Sequence, residues 1–191
     1  MGNKGTATRE RILEASRSLF AQNGYCAVTM QDICKACGLS RGGLYRHFSS
    51  TEQIFTAIIE REQKRAEAAL KHAKANNVPP RRMVATFLRY RLQNLMDPDV
   101  GIDTATAEFG ANSEDGKRIL CRRAQSSICI LTEMIECGKA EGAFHCKDAR
   151  TNAILLLCLL EGLGKHNALL PMDAQQAECM VERMLEILKT P

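Results

Sequence analysis

The sequence predicts an all-α protein, with a small three-helix domain at the amino terminus and a larger helical domain after it. Its 191 residues are rich in Ala, Leu, Glu, Arg, Ile and Met, which favour helices, whereas aromatic residues make up only 5% and Trp is absent. Apolar residues recur at helical spacing along most of the chain. The longest apolar run, 153–160, is shorter than the about 20 residues of a membrane-spanning helix. We expect a cytoplasmic protein with no membrane association.

Basic side chains are concentrated in the first quarter of the chain. Residues 1–50 contain seven Lys and Arg against three Asp and Glu, whereas residues 51–191 contain 19 of each sign. The whole formal net charge of +4 therefore lies at the amino terminus. A compact basic segment on a neutral body favours a polyanionic partner, most simply nucleic acid, although an ordinary solvated surface gives the same count.

Apolar spacing and capping residues mark the first two helices. Apolar side chains recur at the spacing of an amphipathic helix, which we expect to begin near Thr8 and to end before Asn23. Thr29 has the character of an N-cap and is followed three residues later by Asp32. This pair predicts a second helix over 30–37.

A turn that contains Gly leads to a short third helix, predicted over 41–48 after an N-cap at Ser40. Gly42 and Gly43 would together cost this helix roughly 2 kcal/mol relative to Ala. They leave the backbone bare, so that it can approach a phosphate or a base edge. Two helices joined in this way form a helix-turn-helix, whose second helix enters the major groove of B-DNA. The polar side chains around this helix are Arg41, Tyr45, Arg46 and His47.

Four segments near the amino terminus carry a recognisable set of motifs. The segments are 20–25 (Phe-Ala-Gln-Asn-Gly-Tyr), 29–33 (Thr-Met-Gln-Asp-Ile), 38–48 (Gly-Leu-Ser-Arg-Gly-Gly-Leu-Tyr-Arg-His-Phe) and 52–55 (Glu-Gln-Ile-Phe). In content and in order, they resemble the DNA-binding domain of the tetracycline-repressor-type (TetR) transcriptional regulators. The resemblance implies a homodimer that binds a palindromic double-stranded DNA operator and is released by a small-molecule effector.

Position by position, the resemblance also implies which residues contact DNA. Residues at the start of the second helix would contact the DNA backbone, and residues at the start of the third helix would face the bases. The chain departs from the family at Thr51, where most members have Lys, and this departure removes an expected phosphate contact. The candidate DNA-binding residues are Thr29, Gln31, Ser40, Arg41, Gly42, Gly43, Tyr45, Arg46 and His47.

The remainder of the chain predicts further helices. We place the DNA-binding domain at 1–48 and a helical ligand-binding and dimerisation domain at 49–191. Prolines, glycines and capping residues divide the second domain. The predicted helices are 52–75, one whose apolar face spans 83–95 and that ends at Asp97-Pro98, 102–110, one that Ser113 caps and that runs to Gly138, 148–170, and one that Asp173 caps.

The segment 153–163 is apolar on nearly every side, so it must be buried on every side. Because it lies in the penultimate helix, we expect one face to pack within the protomer and the other to pack against a partner. The resemblance implies that the last two helices form a four-helix dimer interface. The candidate interface residues are Leu156, Leu159, Leu160, Leu163, Met180 and Met184.

The resemblance further implies an effector pocket among the fourth to eighth helices. Its composition indicates an apolar or amphipathic small molecule. The candidate pocket residues are Phe87, Tyr90, Arg91, Phe109, Ile128 and Leu131, with His72, Asp103 and Glu108 as further polar anchors.

Nine cysteines require an interpretation. Their odd number argues against a disulfide framework, and most of them stand where a small apolar residue suits a helix. Cys34 and Cys37 have chelate spacing, but no His or Cys in the next nine residues can complete a zinc site. We therefore expect no metal and no cofactor, and keep a reactive sensor thiol as an alternative.

Three functions remain open from the sequence. The first is a dimeric, ligand-responsive DNA-binding regulator, most simply a repressor. The second has the same fold but takes cysteine oxidation or a metal as its signal. The third is a helical small-molecule-binding protein or enzyme whose basic domain recognises no particular DNA sequence. We rank the regulator first because of the helix-turn-helix and the concentration of net charge in residues 1–50. The common phosphate-loop, dinucleotide, zinc-protease and serine-hydrolase motifs are absent from the sequence, which gives no reason to propose an enzyme, and we expect no enzymatic activity.

Overall fold

The computed structural model describes residues 3–96 and 101–190. Within these residues all regular structure is helical and no strand occurs, which confirms the predicted all-α class. None of the helices in this part of the chain combines the length and the hydropathy that a membrane span requires. The helices are α1 (Asn3–Asn23), α2 (Met30–Cys37), α3 (Arg41–Tyr45), α4 (Thr51–Ala75), α5 (Pro80–Met96), α6 (Asp103–Asn112), α7 (Glu114–Ala140), α8 (Ala149–Leu169) and α9 (Ala174–Ile187).

Helix starts agree with the sequence where a capping residue specifies them. Asp148 accepts hydrogen bonds from the first N–H groups of α8, and Asp173 caps α9 in the same way. Ser113 Oγ accepts from the N–H of Gly116 in the first turn of α7 (2.9 Å). The start of α1 differs from the prediction, because the helix begins at Asn3 rather than near Thr8. No Pro stands before Thr8 to stop the helix from extending toward the amino terminus.

The helices form two compact units. The amino-terminal unit comprises Met1–Glu62 and Pro98–Arg123, and the carboxy-terminal unit comprises Gln63–Asp97 and Ala124–Pro191. This grouping differs from the predicted division after residue 48. The reason is that the first part of α4, all of α6 and the first part of α7 pack with α1, α2 and α3.

An aromatic cluster explains why α6 belongs to the amino-terminal unit. The ring of Phe109 on α6 lies 4.9 Å from Phe55 on α4 and 5.1 Å from Tyr25, between ring centroids. Phe20 of α1 meets Phe55 edge-on at 4.9 Å. Phe20, Phe55 and Phe109 are almost completely buried, and burial of such a side chain stabilises a fold by roughly 1.5–3 kcal/mol. The core of this unit therefore requires residues from far outside the first 48.

The carboxy-terminal unit is built around α5, which packs against both α8 and α9. Its core is apolar and includes Leu88 of α5, Leu131 of α7 and Leu185 of α9. The connection between α7 and α8 is tied to the end of α9, because the N–H groups of His145 and Cys146 both donate to the carbonyl of Leu188. These two hydrogen bonds attach the α7–α8 connection to the carboxy-terminal end of α9.

Gly138 lies where α7 packs closely against Phe144, in the connection between α7 and α8. A Cβ atom at Gly138 would overlap ring atoms of Phe144, which is itself buried. We therefore expect Gly138→Ala to lower the free energy of unfolding by about 1–3 kcal/mol, although Ala is the better helix former. Urea denaturation measures this change. In a Phe144→Leu background, which removes the ring, the penalty should shrink; a penalty of unchanged size would contradict the packing described for Phe144.

The cap of α8 predicts a pH dependence of stability. Asp148 accepts hydrogen bonds from the N–H groups of Arg150 (2.9 Å) and Thr151 (3.2 Å) and from the Thr151 hydroxyl. The bond from the Thr151 side chain, followed by the bond from its backbone, lowers the pKa of Asp148 below the ordinary value of 3.8. Because the folded pKa lies below the unfolded one, this contribution is fully present above pH 3.8 and is lost as the pH falls through the folded pKa.

Asp148→Asn should therefore make stability less sensitive to acid. Asn keeps a side-chain oxygen that can cap α8, but it has no carboxylate to protonate. Urea denaturation at pH 7 and pH 3 should show a larger loss of stability for the wild type than for the variant. Equal losses would contradict the proposed contribution of Asp148.

Candidate nucleic-acid interface

Hydrogen bonds fix both ends of α2. At the amino end, Thr29 and Asp32 form a capping box: the N–H of Asp32 donates to Thr29 Oγ1 (3.3 Å), and the N–H of Thr29 donates to Asp32 Oδ2 (3.0 Å). The Thr29 hydroxyl also donates to Asp32 (2.6 Å), and this bond is the main reason that the pKa of Asp32 is lowered. At the carboxy end, Gly38 adopts the left-handed conformation, with φ of 60°. The direction in which the chain leaves α2 is thereby set.

α3 follows this turn and is only five residues long. Ser40 caps it, because its Oγ accepts from the N–H of Gly43 (3.2 Å). The predicted helix over 41–48 is too long, and the structure ends it at Tyr45. The backbone tightens beyond that point, where the N–H of His47 donates to the carbonyl of Leu44 (2.9 Å) in a three-residue step.

Apolar side chains hold α2 and α3 on the amino-terminal unit. Ile33 of α2 and Leu44 of α3 are fully buried, and Phe48 is nearly so. The guanidinium of Arg9 on α1 lies 4.9 Å from the centroid of the Phe48 ring, a cation–π contact. The sequence shows only the charge of Arg9 and gives no sign of this contact, because the two residues are distant along the chain.

The opposite side of α3 faces away from the core and carries the predicted polar groups. The guanidinium of Arg41 lies 5.5 Å from the centroid of the Tyr45 ring, so these two side chains stack on the surface. The stacking restricts the Arg41 side chain before any ligand is bound. The exposed residues of this surface are Arg41, Gly42, Tyr45 and Arg46, with His47 half-buried beside them.

The two glycines of α3 differ from each other. A Cβ atom added at Gly42 would meet no heavy atom within 4 Å, so the bare backbone there faces open space. Gly43, in contrast, is buried, and a Cβ atom there would lie 3.3 Å from Ser40 Oγ. We expected both glycines to present bare backbone outward, and the structure shows this for Gly42 alone.

The remaining DNA-contact candidates lie at the helix starts. Gln31 is exposed in the first turn of α2. Thr29 and Ser40 are exposed as well, but their hydroxyl groups are engaged as N-caps. Their contribution to the surface is therefore first to position α2 and α3.

The cysteine pair of α2 packs into the same unit. Cys37 is buried and Cys34 is half-buried against the core. Burial raises the pKa of the Cys37 thiol, which makes the reactive thiolate less available. These positions support the packing interpretation of the pair.

The structure divides the effector-pocket candidates between the two units. Phe109 is buried in the aromatic cluster of the amino-terminal unit, where neighbouring rings fill the space around it. Leu131 is buried in the core of the carboxy-terminal unit, and Phe87 packs against that core. Tyr90 is 59% exposed, and Arg91 and Ile128 are half-buried. Glu108, proposed as a polar anchor, accepts a hydrogen bond from a backbone N–H of the amino-terminal unit instead.

The candidate interface residues also occupy two different environments. Leu156, Leu160 and Met184 are buried in the core of their own unit, so these three do not form an outward surface, whereas Leu163 is half-buried against that core. This corrects the prediction for these three residues, because a helix that is apolar on every side does not reveal which face its own protomer covers. The large apolar side chains of α8 and α9 that are exposed are those of Ile154, Leu155, Leu159, Leu169 and Met180.

Comparison with known proteins gives two kinds of match. The family model for bacterial regulatory proteins of the tetR family matches residues 12–58. The HTH-type transcriptional regulator UidR of Escherichia coli K12 is 46% identical over 68 residues, which cover 36% of this chain and 35% of UidR. The matched segment thus covers about a third of that relative's length.

Solved structures match over nearly the whole chain. Salmonella enterica GusR is 25% identical, with a TM-score of 0.69 and 96% of each chain covered. A TetR-family transcriptional regulator from Agrobacterium tumefaciens is 20% identical, with a TM-score of 0.79, and the match covers 97% of this chain and 99% of that one. The amino-terminal segment 12–58 thus matches the tetR family of bacterial regulatory proteins, and the fold of the chain is that of a solved TetR-family regulator.

Proposed function

We propose that this protein is a transcriptional regulator, most simply a repressor, that acts in the cytoplasm as a homodimer on a palindromic DNA operator and is released by a small molecule. The exposed side of α3 carries the proposal, because Arg41, Gly42, Tyr45 and Arg46 lie together there on a capped helix-turn-helix. The location of the whole net positive charge in residues 1–50 supports a polyanionic partner. The proposal includes no catalytic step.

The groups on this surface have the chemistry to read duplex DNA. An Arg side chain pairs with N7 and O6 of guanine in the major groove, and we assign Arg41 to this contact. Hydroxyl and imidazole groups donate to phosphate oxygens, and we assign Tyr45 and His47 to phosphates. Arg46 suits either partner. The open space over Gly42 allows the α3 backbone to approach the DNA closely.

The homodimer is supported by an apolar stripe on α8. Ile154, Leu155 and Leu159 are 40%, 44% and 38% exposed, and they lie at helical spacing. Adjacent exposed apolar side chains of this kind mark surfaces that associate with a partner. A two-fold dimer would present two copies of α3 to major grooves about 34 Å apart, which accounts for a palindromic operator.

The carboxy-terminal unit supplies the proposed effector response. Its apolar core includes Leu131, with Phe87 packed against it and Arg91 half-buried on the same helix as Phe87. These groups suit an apolar or amphipathic molecule. Such a molecule would lower operator affinity only to the extent that it binds the released conformation more tightly than the bound one.

The first prediction for this function concerns Arg41 and Tyr45. Arg41→Ala should weaken operator binding by about 1–3 kcal/mol per half-site, because a base contact is lost. Adding Tyr45→Ala should weaken it further. Fluorescence anisotropy with an operator duplex at stated salt measures both changes. The matched control is Arg82→Ala, which removes an exposed arginine from the carboxy-terminal unit and should leave affinity nearly unchanged; equal losses for both arginines would contradict a base-reading α3.

The second prediction concerns Gly42. Gly42→Ala should leave the free energy of unfolding unchanged or raise it by up to about 1 kcal/mol, because the new methyl group meets nothing in the protein and Ala favours helices. Operator affinity should fall, because the methyl group would separate α3 from the DNA. Circular dichroism melts and operator titrations on the same sample report the two effects. A variant that binds as tightly as the wild type would show that the backbone at Gly42 does not approach DNA.

A further inference from the structure

The turn between α1 and α2 is held by a carboxylate from α6. The N–H of Cys26 donates to Glu108 Oε2 at 2.8 Å, although the two residues are 82 positions apart. Gly24, with φ of 79°, makes room for this carboxylate, since a Cβ atom there would lie 2.8 Å from Glu108 Oε1. The hydrogen bond from Cys26 lowers the pKa of Glu108, so the side chain is ionised at neutral pH.

Two more contacts join the same face of α6 to this turn. The side-chain amide of Asn112, one helical turn beyond Glu108, lies 3.2 Å from Cys26 Sγ. The ring of Phe109 meets the ring of Tyr25 edge-on at 5.1 Å. Three residues of α6 thus contact two consecutive residues of the turn, Tyr25 and Cys26, and all of them lie within the amino-terminal unit.

The turn leads directly into the helix-turn-helix. Only residues 27 and 28 separate Cys26 from Thr29, the N-cap of α2, and Val28 is buried in the core. A displacement of the turn would therefore move the start of α2 and, through Gly38, the exposed side of α3. Such a displacement would weaken DNA recognition, because hydrogen bonds to bases form only within narrow limits of distance and angle.

We infer that Glu108 is a positioning residue for DNA recognition, and that α6 completes the DNA-binding unit by holding the α1–α2 turn in register with α3. The inference rests on the proposed function. The change in DNA affinity that it predicts is opposite to the change expected from charge alone. Removal of a negative charge from a DNA-binding unit should strengthen its binding to a polyanion, whereas loss of the Glu108 contact should weaken binding to the operator.

The experiment compares four full-length proteins on one operator duplex, which the wild type selects from a random-sequence pool. The variants are Glu108→Ala, Glu108→Gln and the control Glu114→Ala, which removes an exposed acid from the first turn of α7. Operator affinity is measured at several salt concentrations, well below the unfolding temperature of each protein. Glu108→Gln has the size of the wild type and keeps one acceptor oxygen, so it carries the test if Glu108→Ala does not fold.

We expect Glu108→Ala to bind the operator about tenfold more weakly, as the loss of a hydrogen bond to a charged group predicts. Glu108→Gln should lie between it and the wild type. The slope of affinity against salt should not change, because no phosphate contact is removed. Glu114→Ala should bind as tightly as the wild type or more tightly.

Two results would overturn the inference. If both Glu108 variants bind the operator as tightly as Glu114→Ala, and only their unfolding temperatures fall, Glu108 is a structural residue without a role in DNA recognition. If the salt slope falls by about one, the effect is on a phosphate contact rather than on positioning. A wild type that selects no site from the pool would contradict the proposed function itself, and the inference with it.

Discussion

Edge-to-face packing of aromatic rings under the α1–α2 turn is the constraint on which the DNA-binding surface depends. Tyr25 lies between Phe55 of α4 and Phe109 of α6, at 5.2 and 5.1 Å, while Phe20 of α1 closes the cluster on Phe55. Pairs of rings in this geometry stabilise the fold by more than the burial of their surface alone, and they restrict the orientation of each ring. The position of the turn before α2 is therefore fixed by three helices, two of which, α4 and α6, lie wholly outside the first 48 residues.

The short α3 separates two requirements on opposite sides of one helix. Leu44 is buried and fixes the helix on the core, so Arg41 and Tyr45 on the outer side are free to contact a ligand. The cap at Ser40 contributes stability that a five-residue helix with two glycines otherwise lacks. This arrangement gives a rigid surface of few residues, which suits the recognition of a fixed shape such as duplex DNA.

The sequence predicts features that depend on residues adjacent along the chain. It does not predict features that depend on contacts between distant residues. The limits of α2 agree with the prediction because Thr29, Asp32 and Gly38 define them locally. The end of α3 at Tyr45 depends on backbone hydrogen bonds that form a tighter turn. The predicted division after residue 48 does not account for Phe109, which joins the amino-terminal core from far along the chain. Apolar spacing likewise identifies α8 without distinguishing buried Leu156 from exposed Leu159.

The central claim is that α3 reads a particular DNA sequence. It is tested most directly by titrating the reduced wild-type protein, at one stated salt concentration, with DNA from upstream of its own gene and with a scrambled duplex of equal length. Our account predicts a preference of about a thousandfold or more for one upstream segment, the range of sequence-specific regulators. Weak, strongly salt-dependent binding that is equal for both duplexes, and for every site offered by a random pool, would contradict it.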